Sequence, residues 1–202
     1  MKREVWDNLL DAARAAHMHQ LELAAFCPMA TDLSPIDVVP HHIPAAELMT
    51  SDATLRQSSP LGDAFLDASP SAHWRETYKG TAIADDFMER FACYCLIGQG
   101  GAFISRRMSA YVVYMPPHLD YPFHHHPAEE MYVILAGEAE FRLEGQSPER
   151  LTAGCVSQHQ ANQPHATTTG SKPMLAYVVW RNQLDIPPVW TDPRLYDTKG
   201  LP

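Results

Sequence analysis

The stretch from Tyr121 to Gly137, YPFHHHPAEEMYVILAG, holds His124, His125 and His126, then Glu130 and Tyr132. Imidazoles and a carboxylate together are the donor set of a divalent first-row metal site. Neighbouring residues on a strand point to opposite faces, so at most two of three consecutive histidines can serve one site. Counted by twos, His124, His126, Glu130 and Tyr132 share a face if the turn around residues 127–129 preserves it. His125, Met131 and Val133 then face the other way. A further imidazole must come from another strand, and His165, in NQPHATTT, opens one. Zn, Fe, Mn, Co and Ni all accept two or three imidazoles with one carboxylate. The set supplies fewer than six ligands and leaves positions for water or substrate, as a catalytic centre does. His17, His73 and His118 stand alone and read as ordinary surface or hydrogen-bonded residues.

The elements that must position these groups change character near residue 80. Before it, residues 3–27 carry Val5, Leu9, Leu10, Ala13, Ala16 and Leu21 near a 3.6-residue period and predict a helix ending before Pro28. PHHIPAAELMTSDA reads as a loop and a short helix, and residues 63–79 as helical pieces around Pro70. After residue 80, six apolar runs of strand length lie between turn signals: FACYCLIG, ISRRMSAYVVYMPP, EMYVILAGEAEFRLEG, RLTAGCVSQH, PHATTTG and MLAYVVWRN. Hairpin spacing without intervening helices predicts a mainly β barrel or sandwich. The expected organisation is a helical N-terminal segment over 1–80, a β domain over 81–183 and a surface tail over 184–202.

The 202 residues suffice for one ordinary domain, and 46% hydrophobic content argues against disorder. A net charge of −9 without any basic run excludes the usual phosphate-backbone and anionic-membrane readings. No apolar stretch reaches the roughly 18–20 residues of a membrane helix. The N-terminal stretch carries Asp and Glu and lacks the uninterrupted apolar core of a secretory signal, so a cytoplasmic protein is expected. Cys27, Cys93, Cys95 and Cys155 follow no zinc-ribbon or disulfide spacing. Cys93 and Cys95 share a strand face and read as small buried hydrophobes.

His124-x-His126-x-x-x-Glu130, followed by Gly137, resembles the first cupin motif, and His165 takes the place of the histidine in the second. Four positions depart from the cupin pattern. His118 stands for a glycine, Gln160 and Asn162 for a Pro-x-Gly, and Thr169 for a final asparagine. Asn162 tolerates the left-handed backbone that glycine would supply. The leader REVWDNLLDAARAAHMHQ, the core from Ser105 to Phe141 and QPHATTT resemble the Q-type bacterial dimethylsulfoniopropionate (DMSP) lyases. That resemblance implies a cupin β-barrel and cleavage of DMSP to dimethyl sulfide and acrylate. It implies a metal on His124, His126, Glu130 and His165, Tyr132 as the base and Tyr121 as a second pocket tyrosine. A phenol titrates near about 10, and a neighbouring cation lowers that value, so a metal-side tyrosine suits proton abstraction. Aromatic faces attract a sulfonium. Tyr111, Tyr121, Phe123, Tyr177 and Trp180 are available, with Trp180 and Tyr121 the preferred walls of a substrate site. The rival expectations are a cupin oxygenase using the same ligands and a non-catalytic cupin that binds a small ligand.

Overall fold

The structure is a computed structural model, and it describes residues 2–76 and 85–192. The expected boundary near residue 80 and the last ten residues of the tail lie outside the described residues. The N-terminal helix is broken. Helix α1 spans Lys2–His19 and α2 spans Leu21–Phe26, with Gln20 extended between them. The break lets Leu23 and Phe26 reach the same core as Trp6, Leu9, Leu10 and Ala13. Helix α3, Pro44–Ser51, and α4, Pro60–Ala68, both begin on a proline, whose missing N–H is no loss in a first turn. Ser59 caps α4 by accepting from the Gly62 N–H at 3.0 Å. Helix α5 spans Asp85–Arg90. No helix among the described residues is long and apolar enough to cross a membrane.

Eleven strands appear among the described residues where six runs were expected. They are β1 Ser34–Pro35, β2 Ala92–Ile97, β3 Phe103–Ile104, β4 Ser109–Met115, β5 Asp120–His125 and β6 Glu129–Leu143. After them come β7 Glu149–Thr152, β8 Val156–His159, β9 His165–Thr168, β10 Met174–Arg181 and β11 Val189–Trp190. The extra ones have physical reasons. β1, β3 and β11 are two-residue pairings, too short to show a period. RLTAGCVSQH divides into β7 and β8 around Gly154, whose φ is +90°. The tail contributes β11, which lies beside β5.

Strand β6 is the spine. Its first half pairs with β10 and β8, its second with β7 and β9. The order β1-β3-β2-β4-β10-β6-β9-β5-β11 wraps these strands into the expected cupin barrel. Gly137 makes the passage possible. Its φ is +73°, and a Cβ there would stand 1.7 Å from the Pro173 carbonyl oxygen. Only glycine fits so close a backbone approach.

Both faces of the central strands are buried, which explains their unbroken apolar runs. On β4, Ala110, Val112 and Tyr114 meet the helices, while Tyr111, Val113 and Met115 fill the barrel. On β10, Leu175, Tyr177 and Val179 meet the helices, while Met174, Ala176 and Val178 face inward. On β6, Met131 and Val133 face the helices, Tyr132 and Ile134 the interior. A bulge at Leu135 shifts the register there, and beyond it the inward residues are Ala139, Phe141 and Leu143. Cys93 and Cys95 are buried inside the barrel, as expected of small hydrophobes.

The helix-side core holds one ionisable surprise. His17 on α1 is 4% exposed, with Nε2 3.2 Å from the Tyr177 hydroxyl. Burial lowers its pKa from the usual 6.5 to about 4, a Cys27 backbone contact only partly opposing it. The unfolded chain therefore takes this proton near 6.5 and the folded chain only near 4. Between those values the unfolded state binds more protons, so stability falls as pH drops through the window. The gap corresponds to about 3 kcal/mol. His17→Gln is expected to flatten the decline between pH 6.5 and 4 by up to that amount, in urea unfolding measured at several pH values. An unchanged decline would remove His17 as its source.

Candidate metal centre

Strands β5 and β6 meet at a tight turn, and that turn puts His126 and Glu130 on one side of it. The His126 Nδ1 lies 2.9 Å from the Ala128 carbonyl oxygen across the turn. His124 and His165 repeat the device, with Nδ1 2.8 Å from the carbonyls of Pro122 and Gln163. A carbonyl only accepts, so each Nδ1 carries the proton and donates. Each Nε2 is thereby left as a lone pair.

These lone pairs converge on Glu130. The Nε2 atoms of His126 and His165 lie 3.4 and 3.2 Å from Glu130 Oε2. The three ligand atoms lie within 4.8 Å of one another, and all three residues are buried. Both Nε2 atoms are buried without a hydrogen-bond partner. Three acceptors facing one another repel unless a cation stands among them or an imidazole takes a proton. Burial resists charge on His126, but the Glu130 carboxylate outweighs it and raises its pKa. Burial likewise works against charge on Glu130, and the imidazoles around it, His126 first, hold its carboxyl well below the usual range. Two imidazoles and a carboxylate whose ligand atoms converge, both Nε2 atoms lacking a hydrogen-bond partner, fit a divalent first-row metal.

His124 borders this cluster but is not one of its three members. Its ring is 2% exposed, stacked on Tyr121 at 4.0 Å and edge-on to His165 at 4.2 Å. Burial, then the nearby His165, pushes its pKa well down and keeps it neutral. His125 turns away, its Nδ1 2.8 Å from Thr191 Oγ1 beneath β11.

A narrow pocket, partly open to solvent, leads from the surface to Glu130. Tyr132, Tyr121, Trp180, Tyr111, Cys93 and Arg75 are among its walls. Tyr132 is 3% exposed, on the same strand face as Glu130. Tyr121 packs on Phe91 at 4.8 Å as well as on His124. Trp180 stacks on His126 at 4.2 Å, and its indole N–H donates to Glu130 Oε1 at 2.6 Å. Trp180 thus holds a carboxylate as well as lining the pocket. Of the other candidate aromatics, Tyr111 faces the pocket, Phe123 lies under the Arg142 guanidinium and Tyr177 faces the helices. Burial pushes the Cys93 thiol up to about 11, so it is no ready nucleophile.

Sequence parity missed His159. It stands opposite Glu130 across β6 and β8, fully buried, and its Nδ1 lies 2.8 Å from Glu130 Oε2. Nothing in the sequence marks it, because the β6–β8 register is set by tertiary pairing. Arg75 escaped for a similar reason, lying before the barrel in sequence yet beside Tyr111 in space, at 5.3 Å. The departures from the cupin pattern resolve simply. His118 and Asn162 both adopt φ +58°, the left-handed backbone that glycine would give. Thr169 donates its hydroxyl to the Pro116 carbonyl at 2.6 Å and accepts from the Leu119 N–H at 2.9 Å, tying the loop before β5.

A DMSP lyase family profile matches residues 18–176. The chain belongs to the DMSP lyase family. The DMSP lyase DddQ of Ruegeria pomeroyi DSS-3 is 50% identical over 190 residues, 93% of this chain and 94% of that protein. Its crystal structure superposes with a TM-score of 0.90 at 49% identity, covering 93% of this chain and 96% of that one. A solved chain described with the DMSP lyases RdDddP and RnDddQII gives 0.89 at 34% identity, covering 95% of this chain and all of that one. At the level of this DMSP lyase family, the expectation of a carbon–sulfur lyase holds.

Loss of either clustered imidazole is expected to lower divalent-metal affinity at least about 100-fold. His126→Ala and His165→Ala should therefore emerge from dialysis depleted of metal, while His125→Ala retains it, by elemental analysis. Depletion in His125→Ala alone would overturn the face assignment.

Proposed function

We propose that this protein cleaves DMSP to dimethyl sulfide and acrylate by β-elimination in the pocket above Glu130. The observation that carries this reading is the near full-length likeness to a protein named as a DMSP lyase. The pocket chemistry supports it independently. The substrate has a carboxylate at one end and a dimethylsulfonium at the other. A base removes a proton from the carbon next to the carboxylate. The C–H electrons become the new C=C bond, and the C–S electrons leave with sulfur as neutral dimethyl sulfide. No strong acid is needed for that leaving group.

His126, Glu130 and His165, with His124 beside them, would hold the metal, whether Zn, Fe, Mn, Co or Ni. When bound, it supplies positive charge that stabilises the developing enolate-like carboxylate and favours a neighbouring phenolate. Tyr132 is the base: it lines the same pocket as Glu130 and lies on the same inward face. Tyr121, on the pocket wall, positions the substrate and assists the proton transfer. The rings of Trp180 and Tyr121 offer faces to the sulfonium, each worth about 0.5–2 kcal/mol. Tyr121 is buried and Trp180 half-buried. A cytoplasmic location belongs to the same reading, and the four free cysteines suit a reducing compartment.

Purified metal-loaded protein given DMSP is expected to release dimethyl sulfide equally with and without oxygen, by headspace gas chromatography. Tyr132→Phe should lower kcat by about 10²–10⁴-fold. Release that requires oxygen would favour the oxygenase expectation, and no release with any of the five metals would remove DMSP as the substrate.

A further inference from the structure

Ser157, His159 and Glu130 form a line of hydrogen bonds beneath the pocket. Strand β8 runs antiparallel to β6, with Glu130 opposite His159 and Tyr132 opposite Ser157. Ser157 Oγ lies 3.0 Å from His159 Nε2, and His159 Nδ1 lies 2.8 Å from Glu130 Oε2. All three residues are buried, His159 completely. A carboxylate only accepts, so Nδ1 must carry the proton and donate it to Glu130. Nε2 is then a lone pair, and the Ser157 hydroxyl donates to it. Both ring nitrogens are thus committed, which distinguishes His159 from His126 and His165, whose Nε2 atoms have no partner. The His159 ring lies 4.1 Å from the His165 ring and 5.3 Å from the Tyr132 ring. It therefore touches two residues of the candidate machinery without presenting a lone pair to either.

We infer that His159 is a positioning residue that fixes the Glu130 carboxylate in its ligating orientation, with Ser157 tethering the far side of the His159 ring. In many metal sites a carboxylate orients a ligating imidazole. Here the roles are exchanged, and an imidazole outside the ligand cluster orients the carboxylate. A glutamate side chain is long, and a buried carboxylate turns toward whatever donors it finds. Trp180 holds Oε1 from one side, at 2.6 Å, and His159 holds Oε2 from the other. With both oxygens pinned, Oε2 keeps a direction toward the two Nε2 lone pairs. Without Ser157 the ring loses its second tether, at Nε2, and is freer to turn its Nδ1–H away from Oε2.

The inference rests on the metal reading of the site, and cobalt(II) binding without DMSP tests the two separately. Affinity is read by competition with a colorimetric chelator and coordination by the visible cobalt spectrum, for the wild type, His159→Ala, His159→Asn and Ser157→Ala. His159→Ala is expected to weaken binding about 10–100-fold. His159→Asn, whose amide N–H can stand where Nδ1–H stood, should restore most of the loss with a wild-type spectrum. Ser157→Ala should fall between them. Wild-type affinity in His159→Ala would overturn the inference. So would an Asn variant as weak as the Ala variant with an altered spectrum, since His159 would then be a ligand. If His159→Ala does not fold, the Asn and Ser157 variants still decide between these outcomes. A wild type that takes up no cobalt would instead overturn the metal reading itself.

Discussion

A carboxylate 3% exposed inside a β-barrel is the constraint on which the rest of this structure depends. Removing such a charge from water costs several kcal/mol unless partners compensate it. Glu130 on β6 has partners contributed by several separate parts of the barrel. Trp180 comes from β10, His159 from β8, His165 from β9 and His126 from the turn after β5. No short segment could supply this set. The carboxylate therefore needs the whole barrel closed around it, and the barrel interior acquires a charged centre that sets its chemistry.

The remaining architecture makes that centre stiff. His124, His126 and His165 are each tethered through Nδ1 to a carbonyl two residues away in sequence, which removes ring rotation at little entropic cost. Side chains ordered before substrate arrives need not be ordered during the reaction. Behind them the helices coat the outer face of the sheet. Phe65 of α4 packs on Tyr94 and Tyr177 at 5.7 and 5.8 Å, and Trp74 on Tyr94 at 4.8 Å. These aromatic contacts hold β2 and β10 flat against the helices and so fix the strands that carry Trp180 and the pocket wall.

Much of this was legible in the sequence because it depends on local rules. Strand alternation separates His125 from His124 and His126, and it joins Glu130 to Tyr132. The motif spacing points to His165, and the apolar runs point to a β domain. What was not legible depends on register and on pairs far apart in the chain. His159 meets Glu130 only because β8 aligns with β6 at that offset. The break at Gln20 is not visible in the helical period, which counts Leu21, a residue the structure leaves 77% exposed. The bulge at Leu135 is equally silent, because its neighbours are apolar on both faces. His124 shares the face of His126, and its ring stands beside the cluster, 4.2 Å from the His165 ring.

Strand β6 assigns neighbouring residues to different duties. Met131 and Val133 belong to the helix-side core, Glu130 and Tyr132 to the reactive pocket, and the alternation resets once at the bulge. Gaining or losing a single amino acid between Glu130 and Gly137 would exchange those duties wholesale. It would drive Met131 into the cluster and the carboxylate into the aliphatic layer. It would also take the glycine away from the Pro173 carbonyl, where no other residue fits. Changes of length across the lineage should therefore gather in the connections outside this strand. The interval between the glutamate and the glycine acts as a ruler that evolution can repaint but not lengthen.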